Sequence, residues 1–353
     1  MRREAGVTTK KRVLVTGAGG FIGHHLVSYL KRNGYWVRGV DVHLPEFTES
    51  DADEFELRDL RSRDECLRAT ADIDEVYALA ADMGGVGFIS GHHGTILRNN
   101  ALIDINTLEA ARGNGVRRYL YSSSACVYPE HLQAEPGDIA LAEEDAYPAN
   151  PQDAYGWEKL MGERLCLYYT AEFGLPTRIV RFHNIYGPRG TYDGGREKVP
   201  AALCRKVAAV EPGGEIEIWG DGEQTRSFCY VDDCVEGIHR LMRSDHREPL
   251  NLGTEEVMTI NELARAVIEV SGKPGITLRH VDGPQGVRGR NSDNRRLRAV
   301  LGWEPSTTIR QGLKPTYRWI ADRVCRARRL GGSVPSPVLT GPVSEESSHE
   351  EPR

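Results

Sequence analysis

"VLVTGAGGFIGHHLV", residues 13 to 27, reads as an apolar strand, a glycine-rich turn and the opening of a helix. Gly17, Gly20 and Gly23 stand at G-x-x-G-x-x-G spacing. A tight strand-to-helix turn needs a residue without a side chain, and a diphosphate needs close backbone approach. The helix N-terminus then offers unpaired N–H groups to phosphate. Three glycines alone could simply make a turn. Asp41 gives them a second anchor, because it closes the next apolar run, WVRGVDV, 18 residues after Gly23. A carboxylate there accepts from adenosine ribose hydroxyls and would repel a 2′-phosphate, so NAD is expected rather than NADP. Asp59, in "RDL" beyond a third strand, is either an adenine contact or a solvated loop acid.

Working outward, apolar runs alternate with amphipathic stretches. RVLVTG, WVRGVDV, EVYALAA, RRYLYSSSA and TRIVRFHNIYG read as buried strands. FIGHHLVSYLKRNG, DINTLEAARGNG and AYGWEKLMGERLCLYYTAEFG read as helices, each closing on Asn-Gly or Gly. Strand and helix in alternation predict an α/β fold of Rossmann type, a doubly wound parallel sheet with helices on both faces. We assign residues 11–190 to this NAD-binding domain, with some later segments returning to it. Residues 191–330, looser and shorter in pattern, are mainly a smaller C-terminal α/β substrate lobe over the sheet's carboxyl edge. Residues 1–10 and 331–353 are polar or rich in Gly, Ser, Pro and Glu, and disorder is expected there.

Composition narrows the function class. The 353 residues carry a formal net charge of -6, which argues against general affinity for nucleic acid or anionic membranes. No run approaches the roughly 18 apolar residues of a membrane helix. The N-terminus has no apolar signal core, so export is not expected. The seven cysteines are scattered without C-x-x-C spacing, as reduced thiols in a cytoplasmic protein would be. No His or acid cluster supports a metal site.

Tyr155 and Lys159 form the chain's Y-x-x-x-K, which on a helix sets the ammonium one turn from the phenol. A free tyrosine titrates near pH ~10, so acting as a base at neutrality costs about 4 kcal/mol. A cation at ~4 Å in an effective dielectric of ~20 supplies about that much. The intervening positions, Trp157 among them, are expected to face away from the chemistry. Ser124 precedes this pair at the end of a strand, and Cys126 follows it two residues on. Cys126 is either a small space-filler or a thiol aimed at a substrate. Trp219 and Tyr230 fit a core better than a base-stacking role.

In this order TGAGGFIG (16–23), SSSA (122–125) and YGWEK (155–159) resemble the extended short-chain dehydrogenase/reductases that act on nucleotide sugars. The resemblance sharpens in AADMGGVGFI (80–89), SSACVYPE (123–130), PQDAYGWEKL (151–160) and RFHNIYGPRGTYDGGREKVPAA (181–202). With WGDGEQTRSF (219–228) and GPQGVRGRNSDN (283–294), these blocks are similar to the GDP-mannose 3,5-epimerases across residues 11 to 325.

That resemblance implies NAD oxidising C4 of GDP-mannose transiently, with Tyr155 taking the hydroxyl proton and Ser124 bonding its oxygen. The C4 ketone makes C–H bonds acidic at C3 and C5. Inversion then needs a base on one face and an acid on the other. Cys126 and Lys198 fit that pair by resemblance, and GDP-L-galactose and GDP-L-gulose are the expected products. Phe21, Ile22, Ala80 and Ala81 are implied cofactor contacts. Gly84, Gly85, Asn184, Glu197, Gln224, Arg226, Arg288 and Ser292 are implied substrate contacts. A homodimer is expected by analogy. Against this stand a 4-epimerase or 4,6-dehydratase on another nucleotide sugar, and a non-catalytic NAD-binding sensor or scaffold. The dehydratases carry an Asp-Glu pair after the catalytic Ser or Thr, where this chain has Ala125-Cys126.

Overall fold

A computed structural model describes residues 10–137, 140–283 and 286–330. The two terminal segments expected to be disordered lie outside the described residues, except Lys10. From the N-terminus run β1 (Arg12–Thr16), α1 (Phe21–Arg32), β2 (Trp36–Asp41), β3 (Glu54–Leu57), α2 (Arg63–Ala69) and β4 (Glu75–Ala78). Next come α3 (Val86–Gly91), α4 (His93–Gly113), β5 (Arg118–Ser124), β6 (Ala140–Leu141), α5 (Ala154–Phe173), β7 (Thr177–Phe182) and β8 (Ile185–Tyr186). They are followed by α6 (Val199–Ala209), β9 (Glu215–Trp219), β10 (Thr225–Ser227), β11 (Cys229–Tyr230), α7 (Val231–Arg243) and β12 (Pro249–Leu252). The described residues end with β13 (Val257–Thr259), α8 (Ile260–Ser271), β14 (Thr277–Val281), β15 (Gly289–Ser292), α9 (Arg295–Leu301) and α10 (Ile309–Arg329).

Seven strands form one parallel sheet in the order β12-β7-β5-β4-β1-β2-β3. The order reverses between β1 and β4, and at that switch point a crevice opens at the carboxyl ends. Val13, Leu14 and Val15 are wholly buried, as a strand covered on both faces must be. Thr16 ends β1 and its hydroxyl accepts from the amides of Leu79 and Ala80, both at 3.1 Å. That contact fixes the crevice floor.

The second lobe is woven into the first. A four-stranded sheet runs β13-β10-β15-β6, so β6, from the first half of the chain, joins the lobe carrying β10 and β15. Conversely β12 extends the large sheet beside β7. The boundary near residue 190 is thus crossed in both directions by strand pairing.

The helix read from Asp104 begins eleven residues earlier, at His93. Asp104 looks like a helix cap in sequence but is a buried acid in mid-helix, accepting from Tyr121 Oη at 2.8 Å. Exposed Leu97 and Leu102 ahead of it, and Ile105 just after it, blur the apolar period. Among the described residues no helix is long and apolar enough to cross a membrane.

Behind β5 a buried ion pair holds the sheet to α5. Arg181 Nε and Nη2 donate to Glu163 at 2.8 and 2.7 Å, and Ser123 Oγ donates to the same carboxylate at 2.5 Å. Both partners are 1% exposed, so removing one strands a charge in the interior. Glu163→Ala should cost about 3–5 kcal/mol in denaturant unfolding, and the double variant Glu163→Leu/Arg181→Met should cost less than that single change.

Candidate active site

The glycine turn is built for close approach. Gly17 has φ +68, and a Cβ on it would lie 2.9 Å from the Ala80 amide nitrogen. A Cβ on Gly23 would sit 2.0 Å from the Gly17 carbonyl, so α1 can start against the turn only with glycine there. Gly20 caps α1 without a side-chain bond, and the first turn, Phe21 and Ile22 included, has no acid to repel phosphate. Asp41 Oδ2 accepts from Gly19 N at 2.9 Å, which holds the acid on the rim of this turn. These features fit a dinucleotide: phosphate on the α1 amides and a ribose on Asp41. Ala80, with Ala81 beside it, packs against Gly17 in the same crevice. Asp59 follows β3, beside Arg58, whose amide donates to the Asp41 carbonyl at 2.8 Å, and its half-exposed carboxylate pairs with Arg61.

The chemistry gathers where β5 ends. Ser124 Oγ accepts from Cys126 N at 3.2 Å, which winds residues 125–127 into a single 3₁₀ turn and sets Cys126 beside the strand end. Asp153 caps α5 by accepting from Gly156 N at 2.8 Å. A Cβ on Gly156 would lie 2.2 Å from the Cys126 carbonyl oxygen, so only glycine lets the α5 N-terminus press against the cysteine turn. Tyr155 and Cys126 thereby share one apolar pocket with Met83, Phe88, Ile89 and Ile96.

Electrostatics then divide the roles. Burial pushes the Tyr155 phenol above its ordinary value, while the Lys159 ammonium and Ser124 hydroxyl pull it down. Lys159 is 1% exposed, with Nζ 5.7 Å from the centre of the Tyr155 ring. Burial works against its charge, but Glu158 and Asp104 outweigh burial, and the ammonium is held more firmly than a free lysine's. The positions within Y-x-x-x-K therefore do not all face away. Trp157 does, half-exposed, but Gly156 touches the cysteine turn and Glu158 lies wholly buried, 3.5 Å from Lys159 Nζ. A helix turn around a buried lysine has an inner face, and Glu158 occupies it.

Lys198 stands at the N-cap of α6 and is solvent-exposed. Protein around the ammonium still lowers it from the ordinary lysine value, with the Cys126 charge opposing. Arg226 on β10 pairs in register with Arg290 on β15. Burial, with Arg290 and Arg288 nearby, brings Arg226 down to about 9. Two neighbouring guanidiniums short of solvent invite an anion.

Arg290 is the residue beside Cys126 that sequence reasoning passed over. Its Nη1 donates to Cys126 Sγ at 3.4 Å, and its Nε to Gln133 Oε1 at 2.5 Å. The signal available was the second arginine of R-G-R, two places after Arg288. Arg288 itself forks onto Asp221 at 2.9 and 2.8 Å.

Other expected substrate contacts are placed as follows. Gly85 abuts the Glu197 carbonyl, which a Cβ would approach to 2.7 Å, and Gly84 abuts Phe88. The Glu197 carboxylate turns inward to Gly195 N and Arg205, ordering the loop that carries Lys198. Asn184, at φ +44, donates to the Ser227 carbonyl, and Gln224 is buried with its amide 3.4 Å from the Trp219 carbonyl. Ser292 is buried and donates to Asn294, so its hydroxyl serves the lobe rather than the cleft.

Residues 13–253 match the family model described as NAD dependent epimerase/dehydratase family. The chain is 49% identical over 325 residues to the GDP-mannose 3,5-epimerase of Arabidopsis thaliana, covering 92% of this chain and 85% of that one. Among solved structures it resembles the UDP-glucose 4-epimerase of Thermotoga maritima, with TM-score 0.77 and 27% identity over 89% of this chain and 99% of that one. The UDP-glucuronic acid 4-epimerase of Bacillus cereus, solved with UDP-glucuronic acid and NAD, gives TM-score 0.76 and 28% identity over 88% and 99%. By this family match and this identity over most of both chains, the chain belongs to the NAD dependent epimerase/dehydratase family.

Proposed function

We propose that this enzyme inverts C3 and C5 of GDP-D-mannose through a 4-keto sugar, giving GDP-L-galactose and, when only C5 inverts, GDP-L-gulose. The observation that carries the reading is that Cys126 packs against Tyr155 while Lys198 lies close enough to feel the Cys126 charge, which supports a second acid–base pair beside Tyr155. A 4-epimerase has no use for that pair. The name of the Arabidopsis relative points the same way.

In this mechanism Tyr155 Oη takes the proton of the C4 hydroxyl. Ser124 Oγ bonds that oxygen, and Lys159 Nζ supplies the positive charge that makes the phenol a usable base. The glycine turn and Asp41 would hold NAD, which when bound would supply the reversible hydride chemistry at C4. Oxidation at C4 makes the C3 and C5 hydrogens acidic. Cys126 Sγ then removes one from its face, and Lys198 Nζ gives one to the opposite face. Arg226 and Arg290, register partners on β10 and β15, are the guanidiniums that would balance the substrate's anionic diphosphate. Asn184, Gln224 and Arg288 line the approach to this region in our reading, and Glu197 acts by holding the Lys198 loop.

The outward faces of α4 and α5 carry Leu97, Ile105, Trp157, Met161 and Tyr168, all substantially exposed and at helical spacing. A second copy of the chain is the occupant we infer, making a homodimer through two helices from each protomer. All seven cysteines are unpaired, which suits a reducing, cytoplasmic setting.

Three outcomes check this reading. GDP-mannose incubated in heavy water with the purified enzyme should gain deuterium at C3 and C5, and Cys126→Ala should abolish that exchange while leaving NAD bound. Lys198 donates only when charged, and its hold on the proton is weakened. Epimerisation should therefore decline on the alkaline side well below pH ~10.4, the free-lysine value, and light-scattering chromatography should find Met161→Glu/Tyr168→Glu monomeric.

A further inference from the structure

Beneath Lys159 lie two acids that the reaction as written does not use. Asp104 on α4 and Glu158 on α5 are both buried, at 5% and 0% exposure. Tyr121 Oη lies 2.8 Å from Asp104 Oδ2 and 3.2 Å from Glu158 Oε1. Lys159 Nζ is 3.4 Å from that same phenol oxygen and 3.5 Å from Glu158 Oε1. Asn100 Nδ2 donates to Glu158 Oε2 at 3.0 Å. Gly162 makes room for the arrangement, since a Cβ there would sit 2.2 Å from Tyr121 Oη.

The groups facing the two acids are Asn100 from α4, Tyr119 and Tyr121 from β5, and Tyr155, Lys159 and Cys166 from α5. The cation among them is Lys159. Two ionised carboxylates against one ammonium would leave a net negative charge in the interior, which costs several kcal/mol. Two adjacent acids relieve this by keeping one proton between them. Burial and the charge of Glu158 both push Asp104 well above the ordinary carboxyl range, in agreement with that balance.

We propose that Asp104 and Glu158 share a single proton and together supply the one negative charge that keeps Lys159 charged and aimed at Tyr155. They are positioning residues, acting on the substrate only through Lys159 and Tyr155. The arrangement also buffers itself, because when one acid is replaced by its amide the other ionises and the charge is preserved. Only loss of both removes it. Burial then acts on Lys159 unopposed, the ammonium gives up its proton more readily, and the alkaline limb of the tyrosine-dependent step moves to lower pH.

This inference rests on the proposed role of Tyr155 as base, and two measurements keep the two apart. In infrared difference spectra of the NAD-loaded enzyme, wild type should show one protonated carboxyl band in this region, lost in Asp104→Asn and equally lost in Glu158→Gln. Absence of the band, or two bands of which each variant removes one, overturns the shared proton whatever the activity. In pH profiles of nicotinamide reduction by GDP-mannose, the alkaline limb of Asp104→Asn/Glu158→Gln should fall by about one unit or more, exceeding the sum of the two single shifts. Additive shifts, or one single variant giving the whole shift, overturn the proposal. A band as expected in an enzyme that never reduces its nicotinamide would instead overturn the reading of Tyr155.

Discussion

One ammonium, Lys159, sits almost wholly out of water in the middle of the molecule, and the rest of the site is arranged around that charge. A buried cation is tolerated only where anions or dipoles answer it. Here the answer comes from α4, α5 and β5 together through Asp104, Glu158 and Tyr121. The same ammonium faces the other way, toward Tyr155, where its charge lowers the cost of forming a phenolate. Structural necessity and chemistry are thus two sides of one residue. A neutral side chain there would leave the acids beneath it uncompensated and the phenol above it inert.

In the proposed reaction the pairing of Cys126 with Lys198 depends on how the two lobes are tied. Ser124, Cys126, Tyr155 and Lys159 all stem from the strand end and helix start around β5 and α5. Lys198, Arg226 and Arg290 come from the later half of the chain. The exchange of β6 into the small sheet and β12 into the large one makes the lobes interdependent, and the lysine of the later half comes near enough to the cysteine to feel its charge. Gly156 is the tightest point of this convergence, because the approach of α5 to the cysteine turn leaves no space for a side chain.

Much of this was legible in the residues themselves, for reasons that differ from element to element. β1, the glycine turn and Asp41 could be read because a strand buried on both faces is a continuous apolar run and a phosphate turn needs glycine at set positions. Tyr155 and Lys159 could be read because helical periodicity fixes their relation. The start of α4 could not, since Asp104 imitates a cap and the outward apolar residues break the amphipathic pattern. Glu158 was hidden for a similar reason: a glutamate one place before a lysine looks solvated until the helix is turned to bury the lysine. Arg290 needed tertiary structure, because nothing local tells which arginine of R-G-R meets the Asp221 carboxylate and which meets the Cys126 sulfur.

The most direct measurement is the rate at which GDP-mannose reduces the enzyme's nicotinamide in wild type and in Lys159→Met, followed from neutral to alkaline pH. Loss of a charge worth about 4 kcal/mol to the phenol predicts a variant slower by about a thousandfold near neutrality, with the deficit shrinking as pH climbs toward the free tyrosine range. A variant that reduces its nicotinamide at the wild-type rate at neutral pH would contradict the account.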